Sequence, residues 1–255
     1  MTLQPKKIFG QHFLTNRNLC EKITNHIDWK HCQNILEIGP GEGALTNYLI
    51  TKTDNLKLIE IDSDACVLLK KRFSKLEIIN RDFLKYDLTS LNWAKYTVVG
   101  NFPYNISTQI LFKILDNKNS VTTVIGMFQK EVAERICSPP KSKKYGIPSV
   151  LMQAFFHCEL LFDVARENFR PPPNVDSTVI KLRRNQTANL NCEYDKFVHV
   201  VKSGFSQRRK KLKNALKNFT KLDDTNLKPI ISKRAEELSV FEFVKLTNIL
   251  FPNKK

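Results

Sequence analysis

Apolar and β-branched residues cluster in short runs at 35–38, 56–61, 76–80, 96–100 and 121–128, each flanked by glycine or polar residues. Runs of that length and composition read as buried strands. The segments between them carry a helical period instead. Leu19, Ile23 and Ile27 stand four apart behind a capping Asn16, and Ala44, Leu45, Tyr48 and Leu49 share one helical face. Helices are expected likewise over 65–73, 106–115, 129–137 and 147–156. Strands that alternate with helices define a parallel, doubly wound α/β sheet. Two more strands, at 160–164 and 177–182, are close enough in the chain to form an antiparallel hairpin at the sheet edge, which makes seven strands. Past about residue 185 the pattern changes to short helices. The expected organisation is therefore a sheet domain over 1–186, with helices on both faces, and a small helical domain over 187–255.

The first strand runs into Gly39-Pro40-Gly41-Glu42-Gly43 and then a helix. Strand, glycine-rich turn and helix form the nucleotide-binding opening of such a sheet, because glycine lets the backbone approach a ligand closely. The spacing is Gly-x-Gly-x-Gly and not the Gly-x-Gly-x-x-Gly of dinucleotide sites, so a nicotinamide-dependent dehydrogenase fits poorly. Glu37, inside the end of the first strand, opposes a pyrophosphate but suits a ligand with a cationic centre. That combination points to S-adenosylmethionine, with Gly39 and Gly41 in the turn that would hold it. Glu60 lies 17 residues past Gly43, near where this fold places a carboxylate on ribose hydroxyls. Asp82 follows the third strand and can accept from an adenine amino group while Phe83 packs on the ring; the alternative is a helix-capping Asp with a core Phe.

The fourth strand leads into Gly100-Asn101-Phe102-Pro103-Tyr104-Asn105. Proline fixes its own φ and holds the preceding residue extended, so this loop is stiff. It can offer two acceptors, the Asn101 side-chain oxygen and a backbone carbonyl, to one amino group. Tyr104 then presents a flat face on which a base can stack. Phe169, ahead of three consecutive prolines, is open to two readings: an aromatic wall of the substrate pocket, or a core plug.

Charge narrows the class of partner. The 255 residues carry a formal net charge of +16, with a pI near 9.6, which favours a polyanion and nucleic acid before membrane. The 69 residues from 187 on hold fifteen Lys and Arg against seven Asp and Glu, half of the net charge. Their densest part, around Arg208, Arg209, Lys210, Lys211 and Lys213, is the candidate RNA-binding surface. The six cysteines are scattered without a Cys-x-x-Cys pair, so neither a metal site nor a disulfide framework is expected. No run reaches membrane-spanning length, and residues 1–15 form a basic, aromatic arm, not a signal peptide. A cytoplasmic protein, monomeric in solution, is the expectation.

With these pieces in place the chain closely resembles the small-subunit ribosomal RNA adenine dimethyltransferases of the KsgA/RsmA type. The matching segments span nearly the whole length: 10–14, 36–41, 60–62, 100–108, 129–135, 169–177 and 205–210. The resemblance implies a Rossmann-like class I methyltransferase in which His12, Leu14, Gly39, Glu60, Asp82 and Asn101 contact S-adenosylmethionine or its edge of the pocket. It also implies that Asn101 and the Phe102 carbonyl hold the target N6, with Tyr104 and Phe169 against a flipped adenine. The implied reaction is N6,N6-dimethylation of two adjacent adenosines in a loop near the 3′ end of 16S rRNA, on immature 30S particles. Two residues depart from the family's habit: Phe102 stands where Leu or Ile is common, and Glu42 where Leu is frequent. The related large-subunit methylases of macrolide resistance share the cofactor and Asn-x-Pro-Tyr motifs, but Val175-Asp176-Ser177 and Gln207-Arg208-Arg209-Lys210 lean towards the small-subunit enzymes. A ribosome-assembly factor with dispensable catalysis is the reading from a different class.

Overall fold

The computed structural model describes residues 2–219 and 225–252. The chain forms two compact units: residues up to Ala133 with His157–Arg184, and Glu134–Phe156 with the described residues from Asn185 on. Segment 134–156 therefore belongs to the second unit, where the sequence pattern placed it in the first domain.

Strands are β1 (Phe13–Leu14), β2 (Ile35–Ile38), β3 (Leu56–Glu60), β4 (Glu77–Asn80), β5 (Tyr96–Asn101), β6 (Val121–Gln129), β7 (Phe156–Val164), β8 (Phe169–Arg170) and β9 (Ser177–Arg184). Seven of them form one sheet in the order β4-β3-β2-β5-β6-β9-β7. The pairings from β4 across to β6 are parallel and β9 runs antiparallel to β6. The five expected parallel strands are all present. The expected edge pair is present as neighbours, with β7 outermost. β7 starts at Phe156, so the helix expected over 147–156 stops short, at Gln153.

Helices α1 (Arg17–Asn25), α2 (Thr46–Leu49), α3 (Ser63–Arg72) and α4 (Ser107–Asp116) belong to the first unit. Asn16 caps α1 by accepting from the Asn18 and Leu19 amides, and Asp62 caps α3 through the Asp64 amide. The core is built on the sheet: Ile35, Leu36, Leu58, Val99 and Ile125 are fully shielded from water. Strand order reverses between β2 and β5, and at such a point the carboxyl ends of the strands open a crevice. Ile38, Glu60 and Asn101, the last residues of β2, β3 and β5, all line it.

Helix α5 (Lys130–Cys137) begins in the first unit and ends in the second, which continues with α6 (Ile147–Gln153), α7 (Tyr194–Phe205), α8 (Leu212–Ala215), α9 (Lys228–Ile231) and α10 (Val240–Leu250). The core of the second unit is Phe197, Val200, Val201, Phe243 and Leu246, with the Phe205 and Phe243 rings stacked 5.9 Å apart. A Cβ on Gly204 would lie 3.0 Å from Leu212, so α7 and Leu212 pack closely here. Among the described residues no helix is long and apolar enough to cross a membrane.

Candidate active site

The glycine-rich turn after β2 is held by its neighbours' bulk and by one carboxylate. Gly41 has φ +55°, and a Cβ on it would come within 2.8 Å of the Phe13 ring, so conformation and space both require glycine. Its amide donates to Glu60 Oε2 at 3.0 Å, and the Asp62 amide donates to Glu60 Oε1 at 2.9 Å. The two bonds fix the Glu60 carboxylate at the end of β3 and leave lone pairs for further donors. Burial pushes its pKa up against the pull of those amides.

Glu37 is the charged residue inside the fully buried β2. Burial pushes its pKa to about 8, although the Thr46 hydroxyl donates to it at 2.7 Å and pulls the other way. A cationic partner placed beside it would favour its ionised form.

The N-terminal arm is pinned along the crevice. Lys6 Nζ lies 2.6 Å from Asp62 and 2.7 Å from Asp64, and Gln11 Nε2 donates to Asp62 at 2.9 Å. Burial works to raise the Asp62 carboxyl, but the bonds from Lys6 and Gln11 outweigh it and hold it below the usual range. Farther along, Phe13 and Leu14 pair antiparallel with Arg170 and Phe169. At the arm's start, Glu42 Oε1 accepts from the Leu3 amide at 2.7 Å and from Arg170 at 2.9 Å. Glu42 thus ties arm, glycine-rich turn and β8 together.

At the end of β5, Asn101 Nδ2 donates to the His12 carbonyl at 2.7 Å. That bond orients the amide, so Oδ1 is left as an acceptor with no partner among the described residues. The Phe102 ring is buried edge-on to Phe128, with centroids 5.1 Å apart. It fills a slot that Gly100 and Gly126 leave open: a Cβ on either glycine would overlap the ring. The two glycines thus make the room that the Phe102 ring occupies. Tyr104 shares a hydrogen bond with the Ser177 hydroxyl. The His12 imidazole stacks on the Tyr104 ring at 5.4 Å and 24°, with Nδ1 2.7 Å from the Pro171 carbonyl oxygen. The site therefore presents a His12–Tyr104 stack and not a bare phenol ring.

One pocket gathers His12, Leu14, Gly39, Gly41, Glu60, Asp82, Asn101, Phe102, Pro103 and Tyr104, together with Glu37 and Phe83. Asp82 Oδ1 also accepts from the Leu84 amide at 2.9 Å, so its turn-capping and pocket-lining roles coexist. Phe169 is not among the lining residues. Its ring is 3 % exposed and packs in the core with Leu14, Ile23 and Leu45. The core-plug reading describes it, because β8 turns the ring inward under β1.

Arg208 also departs from expectation. Its Nε donates to Glu236 at 3.0 Å and its Nη2 to the carbonyls of Tyr145 and Lys143, so it brackets the second unit internally. Arg209, Lys210, Lys211 and Lys213 remain exposed. Residues that sequence reasoning passed over are Asp62, Lys6, Gln11, Arg170 and Ser177. The basic arm and the Glu60-Ile61-Asp62 triplet were visible, but their pairing across 56 positions was not.

A parallel sheet in this order, a reversed strand inserted next to the edge strand and a crevice where the strand order reverses define a class I methyltransferase. The chain belongs to the ribosomal RNA adenine dimethylase family, whose model matches residues 2–250. It is 47 % identical to the ribosomal RNA small subunit methyltransferase A of Cytophaga hutchinsonii, over 97 % of this chain and 98 % of that one. The enzyme of the same name from Porphyromonas gingivalis is 42 % identical, over 98 % and 99 %. Among solved structures, a dimethyladenosine transferase from Plasmodium falciparum superposes with a TM-score of 0.81 at 26 % identity, over 92 % of this chain and 96 % of that one. The 23S rRNA methyltransferase ErmE shares the fold, with a TM-score of 0.67 at 23 % identity, over 91 % and 99 %.

Proposed function

We propose that this protein dimethylates N6 of two adjacent adenosines near the 3′ end of small-subunit rRNA, acting as a cytoplasmic monomer on immature 30S particles. S-adenosylmethionine is the cofactor, and when bound it supplies an electrophilic methyl on a positively charged sulfur. The pocket's donor set fits that ligand: Glu60 faces it with spare lone pairs for ribose hydroxyls, and the buried Glu37 suits a cationic group. Asp82 and Phe83 supply an acceptor and an apolar face for an adenine ring.

The observation that carries the reading is the Asn101 amide, turned by the His12 carbonyl so that Oδ1 is free at the end of β5. An exocyclic adenine nitrogen is a weak nucleophile because its lone pair is delocalised into the ring. Asn101 Oδ1 and the Phe102 carbonyl accept its two hydrogens and favour a pyramidal nitrogen with its lone pair directed at the methyl. Transfer from the bound cofactor would form the N–C bond as the C–S bond breaks, leaving a neutral thioether, and the surplus N6 proton would pass to solvent water. Fixed acceptors act here by orientation and electrostatics and need no strong base. The target base must leave its stack, which costs least in a single-stranded loop.

Asn101→Ala tests this directly. Loss of one preorganised hydrogen-bonding group in a transition state costs about 10²–10³ in rate. The variant is expected to lose methyl transfer by that much while still binding undermodified 30S particles. Transfer within a few-fold of the wild type would contradict the role of Asn101. Loss of binding by a folded variant would contradict separable binding and catalysis.

A further inference from the structure

Beside the cofactor pocket lies a second, open cavity of about 390 Å³, lined by Tyr104, Asn105, Gln129, Pro172, Pro173 and Asn174 together with Gly10 and His12. It shares Tyr104 and His12 with the cofactor pocket, so whatever fills it lies next to whatever stacks on Tyr104. Its frame is firmly held. Gln129 ends β6 directly opposite Ser177 of β9, and Ser177 bonds the Tyr104 hydroxyl. Asn105 lies against Gly10, where a Cβ would come within 2.8 Å of its Oδ1.

The chemistry of the lining excludes several ligands. Apart from the titratable His12 it contains no acidic or basic side chain, so neither a phosphate nor a metal cation finds a counter-charge. It offers three carboxamides, on Asn105, Gln129 and Asn174, each with donors and acceptors and none with a side-chain hydrogen bond to another described residue. Two prolines and an aromatic ring supply the apolar surfaces. Neutral, bidentate groups between flat apolar walls suit a heterocyclic base, and Asn or Gln pairs in particular with adenine N6 and N7.

We propose that this cavity is a subsite for the nucleotide next to the target adenosine in the substrate strand. The inference rests on the proposed RNA-adenine methylation and adds to it a second base read by the enzyme. The strand's backbone carries the neighbouring base past Tyr104 into the cavity while the target faces Asn101. The carboxamides then discriminate at that neighbour.

The test is a double-mutant cycle on kcat/KM for methyl transfer. One axis is the substrate: 30S particles reconstituted with unmodified rRNA, either unchanged or with the 5′ or the 3′ neighbour of the target replaced by uridine. The other axis is the enzyme, wild type against the combined Asn105→Ala, Gln129→Ala and Asn174→Ala variant. A bidentate base contact is worth about tenfold or more. Wild-type enzyme is expected to lose about that factor on one of the two replaced substrates, and the variant to lose it already on the unchanged one. Replacement of the neighbour should then cost the variant less than about threefold. Independent, multiplying losses, or no wild-type sensitivity to either neighbour, would overturn the subsite. Asn174→Ala alone, at an exposed loop position, gives the same cycle should the triple variant not fold. Absence of transfer by wild-type enzyme to the unchanged particle would instead remove the proposed reaction, and the subsite with it.

Discussion

Glu37 bears an electrostatic cost when ionised that a cationic ligand would relieve. Its folded-state pKa of about 8 lies above the 4.5 of an unperturbed glutamate because the side chain is entirely shielded from water. Below pH 4.5 both folded and unfolded chains hold the proton and Glu37 imposes no penalty. As pH rises from there towards 8 the unfolded chain ionises first, so stability without ligand falls across that window. Glu37→Gln should flatten this slope and raise the ligand-free melting temperature at about pH 8 more than at about pH 5, while weakening cofactor binding. Melting curves at the two pH values with titration calorimetry check this, and an unchanged slope would contradict it. Other side chains show where sequence reading stops. That Glu60, Asp82 and Asn101 line the crevice was legible, because strand ends of this fold open onto it. Phe169 was not: a two-residue strand decides which way its ring points, and no periodicity announces so short an element.

Among elements, the arm and the strand it contributes depend on tertiary partners. The five parallel strands were legible from apolar runs because burial on both faces dictates their composition. β1 and β8 were hidden, since their pairing joins residues more than 150 positions apart. The arm is fastened where Lys6 and Gln11 reach Asp62, and Asp62 follows the carboxylate that braces the cofactor turn. Asp62→Asn keeps a capping side chain for α3 but removes the charge that Lys6 seeks. It should loosen residues 2–11, read as faster amide exchange or proteolysis there, and weaken cofactor binding several-fold with little change in melting temperature. Unaltered exchange in the arm would contradict its anchoring at Asp62.

For the whole molecule, charge and packing divide the basic segment after α7 into two roles. Arg208 joins Glu236 to the 143–145 loop inside the second unit, whereas Arg209, Lys210, Lys211 and Lys213 face solvent. Sequence could register the charge density but not which arginine was already engaged. It also could not assign 134–156 to the second unit, because that grouping comes from side-chain packing. We propose that the exposed four bind rRNA phosphates. Replacing them with alanine should weaken 30S binding and reduce its salt dependence, by about one unit of slope for each phosphate no longer neutralised. Arg208→Ala should instead lower the melting temperature, because it removes the hydrogen bonds that tie Glu236 to the carbonyls of Lys143 and Tyr145. Particle binding across a salt series, with melting curves, separates the two roles; equal effects on both readouts would contradict the division. The measurement that reaches furthest is transfer of labelled methyl from S-adenosylmethionine to purified, undermodified 30S and 50S particles, followed by nucleoside analysis. The account predicts N6,N6-dimethyladenosine in the small-subunit RNA alone. Label confined to the large-subunit RNA, or none from a folded protein that binds the cofactor, would contradict it.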